Sequence, residues 1–188
     1  MTYVDNIRVW DPLIRIMHWL IASCFFTAYF SKESYLHLHT LAGYTLAMVL
    51  VIRVGWGFAG SYHARFCNFV TTPSQAVRYV IGSLQNNAER FHGHNPAGGL
   101  MVVIMLAMLT LLSVSGIALY AAQEQAGPLA AWFVDSSDRF DEIIETIHEV
   151  ISDLITVLIV IHLFGVLIES LLHGENLVRA MMTGNKKA

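Results

Sequence analysis

The sequence predicts an all-α integral membrane protein, a four-transmembrane-helix bundle with both termini in the cytoplasm. Three observations predict it. Hydrophobic residues fill 55% of the 188 positions and charged residues only 13%, about half the charged share of a soluble domain. Four segments meet the requirement of about 20 mostly apolar residues for crossing a bilayer. Arginine and lysine gather in the loops on one side of those segments, the mark of the cytoplasmic side. A chain of this length is expected to form one domain, residues 1–188. Its net charge of −3 and the lack of a basic stripe point away from nucleic acid.

The first span is expected at 13–30. It carries Arg15 and His18 near its start and lacks an A-x-A cleavage site, so it reads as a retained span rather than a leader. The second is expected at 39–59. The third, 97–121, is free of charge along its whole length. The fourth, 143–172, is longer than a bilayer needs, so its first turns project or the helix tilts. Between the second and third spans lie Arg65, Arg78 and Arg90, and Arg179, Lys186 and Lys187 follow the fourth. The loop from Ala121 to Glu145 instead has six acids, Glu124, Asp135, Asp138, Asp141, Glu142 and Glu145, against Arg139 alone. These counts set the orientation and imply a multi-pass membrane protein with both termini in the cytoplasm. Thr72 before Pro73 signals the start of a short helix. Its Val77, Val80, Ile81 and Leu84 share one face, suited to the cytoplasmic membrane surface.

Cys24 and Cys67 are isolated and form no CxxC or CxxCH, so covalent haem attachment and a thiolate zinc site both lack support. The histidines carry more information. His18, His39, His148 and His162 lie within or at the ends of apolar spans. Ionisable groups in such places face the bundle interior and mark function, or else glue helices together by hydrogen bonds. His148 and His162 are 14 residues apart, roughly 21 Å along one helix and within about 40° of the same face. His39 opens the second span at the outer level of His148, with His37 as its rival. His18 sits near the inner level of His162. Two pairs follow, His39 with His148 and His18 with His162. Zinc prefers three or four protein ligands in one place, whereas haem iron takes two axial ligands, which facing helices supply. Gly43, Gly116 with Ser113 and Ser115, and Gly165 offer either room for a porphyrin or ordinary small-residue packing. Arg53, 14 residues after His39, is either a partner for an inner haem propionate or a positive-inside anchor. Asp153 is left between an outer haem edge, a proton path and the headgroups.

Several stretches carry a resemblance to a known family: VWDPLIRIMHWL (Val9–Leu20), HTLAGYTLAMVLVIRVGWG (His39–Gly57), GHNPAGGLM (Gly93–Met101), HLFGVLIES (His162–Ser170) and ENLVRAMMTGNK (Glu175–Lys186). They resemble the bacterial cytochrome b561 family, which includes the b-type cytochrome subunits of nickel–iron hydrogenases. The resemblance implies two b haems in a four-helix bundle, with His18, His39, His148 and His162 as axial ligands of the iron. It also implies electron exchange with a quinone, ubiquinone or menaquinone, and with a periplasmic partner such as a c-type cytochrome or a reductase. His94 matches a recurrent HNP feature and is either a quinone-site group or a helix-start residue. Some hydrogenase subunits have additional membrane or tail segments, which weighs against the hydrogenase-subunit alternative. A second alternative is a superoxide:quinone oxidoreductase. That enzyme needs a basic outer mouth, for which Lys32 and Arg139 are the candidates.

Overall fold

The computed structural model describes residues 6–31, 34–85, 87, 89–134 and 136–187. Lys32 and Asp135 lie outside the described residues. Four long helices carry the apolar segments: α1 (Pro12–Ser31), α2 (Leu36–Ala59), α4 (Pro96–Glu124) and α5 (Asp138–Leu172). All four are long and apolar enough to cross a membrane. Between them lies the shorter α3 (Pro73–Leu84), and α6 (Leu177–Thr183) follows α5. The expected spans are recovered within longer helices. α2 starts before His37, and α5 starts five residues before the expected span. The extension of α5 has a local cause. Ser137 Oγ accepts from the Phe140 N–H at 3.3 Å, and Asp138 and Asp141 sit in the first turn, where the helix dipole favours negative charge. Part of the acidic loop is therefore helix.

The chain packs as two compact units, each drawing on all four long helices. One comprises 1–18, 52–104 and 159–188, and the other 19–51 and 105–158.

The first unit buries Val9, Trp10, Ile14, Met17, Ala64, Phe69, Ala76 and Ala180. It also holds a short sheet that the sequence does not announce: β1 (Asn6–Arg8) pairs antiparallel with β2 (Asn185–Lys187). The chain ends thus meet each other. Gly184 makes this possible. It closes α6 with φ +88, its carbonyl accepts the Val9 and Trp10 N–H groups, and a Cβ there would stand 2.6 Å from the Trp10 carbonyl oxygen. A side chain would meet both strain and collision. Asp11 ties α1 to the end of α2. Its carboxylate accepts the Ile14 N–H at 3.0 Å, capping α1, and bonds from Trp56 Nε1 and Ser61 Oγ at 3.3 and 2.5 Å. Burial alone would raise the Asp11 pKa, but these bonds outweigh it and hold the carboxyl below its ordinary range. Lys186 and Glu175, both 8% exposed, pair at 3.2 Å, and Arg90 pairs with the same carboxylate.

α3 starts as expected. The Thr72 side chain and Gln75 form a reciprocal capping box, with Pro73 in the first turn. One face docks through buried Ala76 and Ser83, while Val77, Val80, Ile81 and Leu84 stay exposed.

The second unit is built around Phe25, Leu46, Val49, Leu50, Leu109, Leu112 and Ile155. Small Ala42, Ala121, Ala122 and Cys24 are also buried there, which lets helices approach closely. Cys24 is a free thiol, as is the exposed Cys67.

Candidate functional site

Each unit holds one pair of histidine rings. In the second unit, the rings of His39 and His148 face each other with centroids 6.2 Å apart and planes 72° apart. In the first, His18 and His162 stand 6.4 Å apart with planes at 49°. α1 supplies His18, α2 His39, and the single continuous α5 supplies both His148 and His162. The choice between His37 and His39 is geometric. His37 is exposed, and His39 is the one facing His148.

The hydrogen bonds of the second pair define its tautomers. His39 Nδ1 lies 2.9 Å from the Ala28 carbonyl oxygen. A carbonyl only accepts, so Nδ1 carries the proton and Nε2 keeps its lone pair. His148 Nδ1 lies 3.0 Å from Ser115 Oγ. The Ser115 hydroxyl donates to the Leu112 carbonyl, also at 3.0 Å. Its one proton is thereby used, so Oγ accepts from His148 Nδ1–H. Nε2 of His148 is again left with the lone pair. Gly116 makes room for that ring, since a Cβ there would stand 2.9 Å from His148 Cε1. Sequence reasoning grouped Ser115 with Gly116 as small residues and missed the bond. The available signal was a hydroxyl beside a glycine at the depth of His148.

The unit that holds His18 and His162 also contains a buried cation and an aromatic cluster. Arg53 is 7% exposed. Its guanidinium lies 5.4 Å from the Phe66 ring centroid, and its buried Nη1 has no hydrogen-bond partner in the structure. His94 packs between Trp10 and Phe69, with ring centroids at 4.7 and 4.5 Å. The residue is half-buried overall, but its Nδ1 is shut from water without a hydrogen-bond partner. Burial pushes its pKa down to about 3, and the Arg53 charge acts in the same direction. His94 is therefore neutral at neutral pH. The helix-start role in this motif belongs to its neighbour Asn95, whose Oδ1 accepts the Gly98 N–H at 2.7 Å.

Residues 9–184 match the profile of the family described as prokaryotic cytochrome b561. The chain belongs to this family. It is 26% identical over 211 aligned residues to the "Probable Ni/Fe-hydrogenase B-type cytochrome subunit" of Azotobacter vinelandii, covering 95% of this chain and 87% of that one. The protein of the same description from Rhizobium leguminosarum bv. viciae is 25% identical, with 97% and 89% covered. That from Rhodobacter capsulatus is 22% identical, with 96% and 81% covered. No solved structure matches the chain. The chain spans 81–89% of the length of these relatives. The protein is a multi-pass membrane b-type cytochrome, and a b-type cytochrome carries haem b.

The histidine pairs fit such a group. An imidazole nitrogen binds its metal at about 2.0 Å and the ring centroid lies about 1.1 Å behind it, so two rings flanking one metal have centroids about 6.2 Å apart. The observed 6.2 and 6.4 Å agree. A zinc cage does not fit, because among the described residues no three of His, Cys, Asp and Glu converge. A Cβ at Gly43 or Gly165 would meet no atom within 4 Å, so neither glycine is required by packing against a protein neighbour. Asp153 is exposed on α5, as is Arg139 among Asp138, Asp141 and Glu142.

Proposed function

We propose that this cytochrome holds two b haems and moves electrons across the bacterial inner membrane between the quinone pool and a redox protein on the outer face. The ring separations carry this reading, since each pair is spaced to hold one iron from both sides. His39 and His148 would bind through Nε2, with Nδ1 protons directed at Ala28 and Ser115. His18 and His162 would hold the second haem. Arg53, buried with an unpaired Nη1 in the same unit, would meet one of its propionates by a charge-assisted bond. Haem b supplies reversible one-electron transfer, and two histidine ligands leave no open iron position for oxygen chemistry.

Placing both termini in the cytoplasm is supported by the pairing of β1 with β2, which keeps them at one end of the first unit, together with the cationic loops. His18 and His162 would then lie toward the cytoplasm, and His39 and His148 toward the outer face. The relatives' descriptions favour a nickel–iron hydrogenase as the outer partner over a c-type cytochrome. The acids around Arg139 repel small anions, which supports electron transfer over superoxide oxidation.

Haem extraction and absorption spectroscopy of the purified protein test the reading. Two haem b per chain are expected, with a b-type α band on reduction. A preparation with zinc and no Soret band would defeat it, and one haem per chain would reduce it to a single site. Reduction by a quinol and by a purified hydrogenase with hydrogen then tests the partners.

A further inference from the structure

We propose that Ser115 is a positioning residue for the His39–His148 site: its hydroxyl fixes the orientation and donor strength of the His148 ring and so sets the reduction potential of that site alone. This rests on the proposed two-haem reading. The two rings of the pair are anchored by different chemistry. His39 donates to a backbone carbonyl, that of Ala28, which side-chain replacement leaves in place. His148 donates to a side-chain hydroxyl, which is itself held by the Leu112 carbonyl one turn earlier. The chain Nδ1–H to Oγ–H to C=O is directional, and only one ring tautomer satisfies it. The reverse arrangement, with Ser115 donating to Nδ1, would place a proton on Nε2 and block ligation. Gly116, beside Ser115, presses from the other direction by allowing the ring to lie against the α4 backbone. Ser115 and Gly116 thus fix ring rotation and ring approach from adjacent positions.

An acceptor on Nδ1–H pushes electron density toward Nε2 and makes the imidazole a stronger donor. A stronger donor favours ferric over ferrous iron, so loss of the acceptor raises the potential. The Leu112 carbonyl, which holds the Ser115 hydroxyl, is the natural competitor for the role assigned to Ser115.

The test compares the haem-loaded wild type, Ser115→Ala and Ser115→Thr by haem content, optical redox titration and ferric low-spin EPR. His148→Ala identifies which titration step belongs to this site. Ser115→Ala is expected to keep two haems. At a fixed ambient potential the ferric-to-ferrous ratio of the His148 site should fall about tenfold, an upward shift of about 59 mV for a one-electron couple. The EPR signal of that site should move, the other site should stay unchanged, and Ser115→Thr should restore both readouts. Unmoved potentials would overturn the proposal and assign the role to the Leu112 carbonyl. Equal shifts at both sites would also overturn it, as a general effect on the fold. If Ser115→Ala loses the haem, retention at the wild-type potential in Ser115→Thr supports the proposal, and loss in both overturns it. A wild type without two haems refutes the reading beneath it, a failure visible before any variant is made.

Discussion

Two imidazole rings stand 6.4 Å apart in the unit of His18 and His162 and 6.2 Å apart in that of His39 and His148, yet their surroundings differ in kind. The first unit is organised by charge. It contains the described ion pairs of Glu175 with Arg90 and Lys186, the contact of His173 with Glu169, and the buried Arg53. The second is organised by neutral hydrogen bonds and small residues: the Ala28 carbonyl, Ser115, Gly116 and the buried alanines. The same ring spacing is thus reached on two scaffolds. If each pair holds a haem, charge in one unit and neutral dipoles in the other would give the chain separate means of setting two potentials.

The largest break in this comparison removes a ring. His162→Ala and His148→Ala are each expected to lower haem content from two to one per chain, with different α-band components lost. Loss of both haems from either change would show that the units do not hold their groups separately. The sequence was most legible here. Polar residues in apolar helices stand out, and a 14-residue interval on one helix fixes both the face and the spacing of His148 and His162. His39 could not be separated from His37 by pattern, because two residues along a helix differ in direction and direction has no meaning without the facing ring. The β1–β2 pairing was invisible, since three-residue strands carry no periodicity and exist only because the ends meet around Gly184. The early start of α5 was hidden because apolar windows end where its acidic turns begin. The motifs Val9–Leu20 and Glu175–Lys186 resemble family signatures, and much of their content is scaffold: Asp11 caps a helix, Asn176 caps α6, and Glu175 and Lys186 clasp the termini.

The next break is that clasp. Glu175→Gln would leave Lys186 buried against a neutral partner, and losing one member of a buried pair costs about 3 kcal/mol. Arg90 is partly exposed, so a loss of about 2–3 kcal/mol is expected in detergent unfolding of the first unit. Burial raises the Glu175 pKa, but Arg90 and Lys186 outweigh it and hold it below its ordinary 4.5. A depressed carboxyl contributes its stability above the unfolded value. The wild-type advantage should therefore be complete above pH 4.5 and vanish as pH falls through the folded value. A pH-independent difference would mean that the carboxylate charge is not what holds the clasp. Arg53→Met sharpens the comparison on the functional side. If Arg53 neutralises a propionate of the His18–His162 haem, its loss disfavours the ferrous form by about 1–2 kcal/mol, the size of a unit-charge interaction over roughly 10 Å at an effective dielectric near 20. The potential of the His18–His162 site alone should fall, as read by redox titration. A shift at the other site instead would remove Arg53 from the inner propionate.

The smallest effect concerns how α3 is fastened to the charged unit. Tyr79 Oη donates to the Glu169 carboxylate, with oxygens at 3.0 and 3.2 Å, and this is a polar tether between α3 and α5. Tyr79→Phe keeps the ring against Phe91, 5.7 Å away between centroids, and removes only the hydroxyl. A hydrogen bond to a charged group at a half-buried site is worth about 1–2 kcal/mol, and a loss near 1 is expected because water reaches the cluster. The pH dependence separates the tether from packing. Burial first, and then the Glu169 carboxylate, push the Tyr79 pKa up to about 12. A raised acid contributes stability that is complete below its unfolded value near 10 and is lost as pH rises toward 12. Hydrogen exchange on α3 should thus accelerate in the wild type between about pH 10 and 12, beyond the intrinsic rise, while Tyr79→Phe should already be fast and lack that step. Equal protection in the two proteins across this range would show that α3 is held by Ala76 and the membrane surface, and that the charged unit ends at α5.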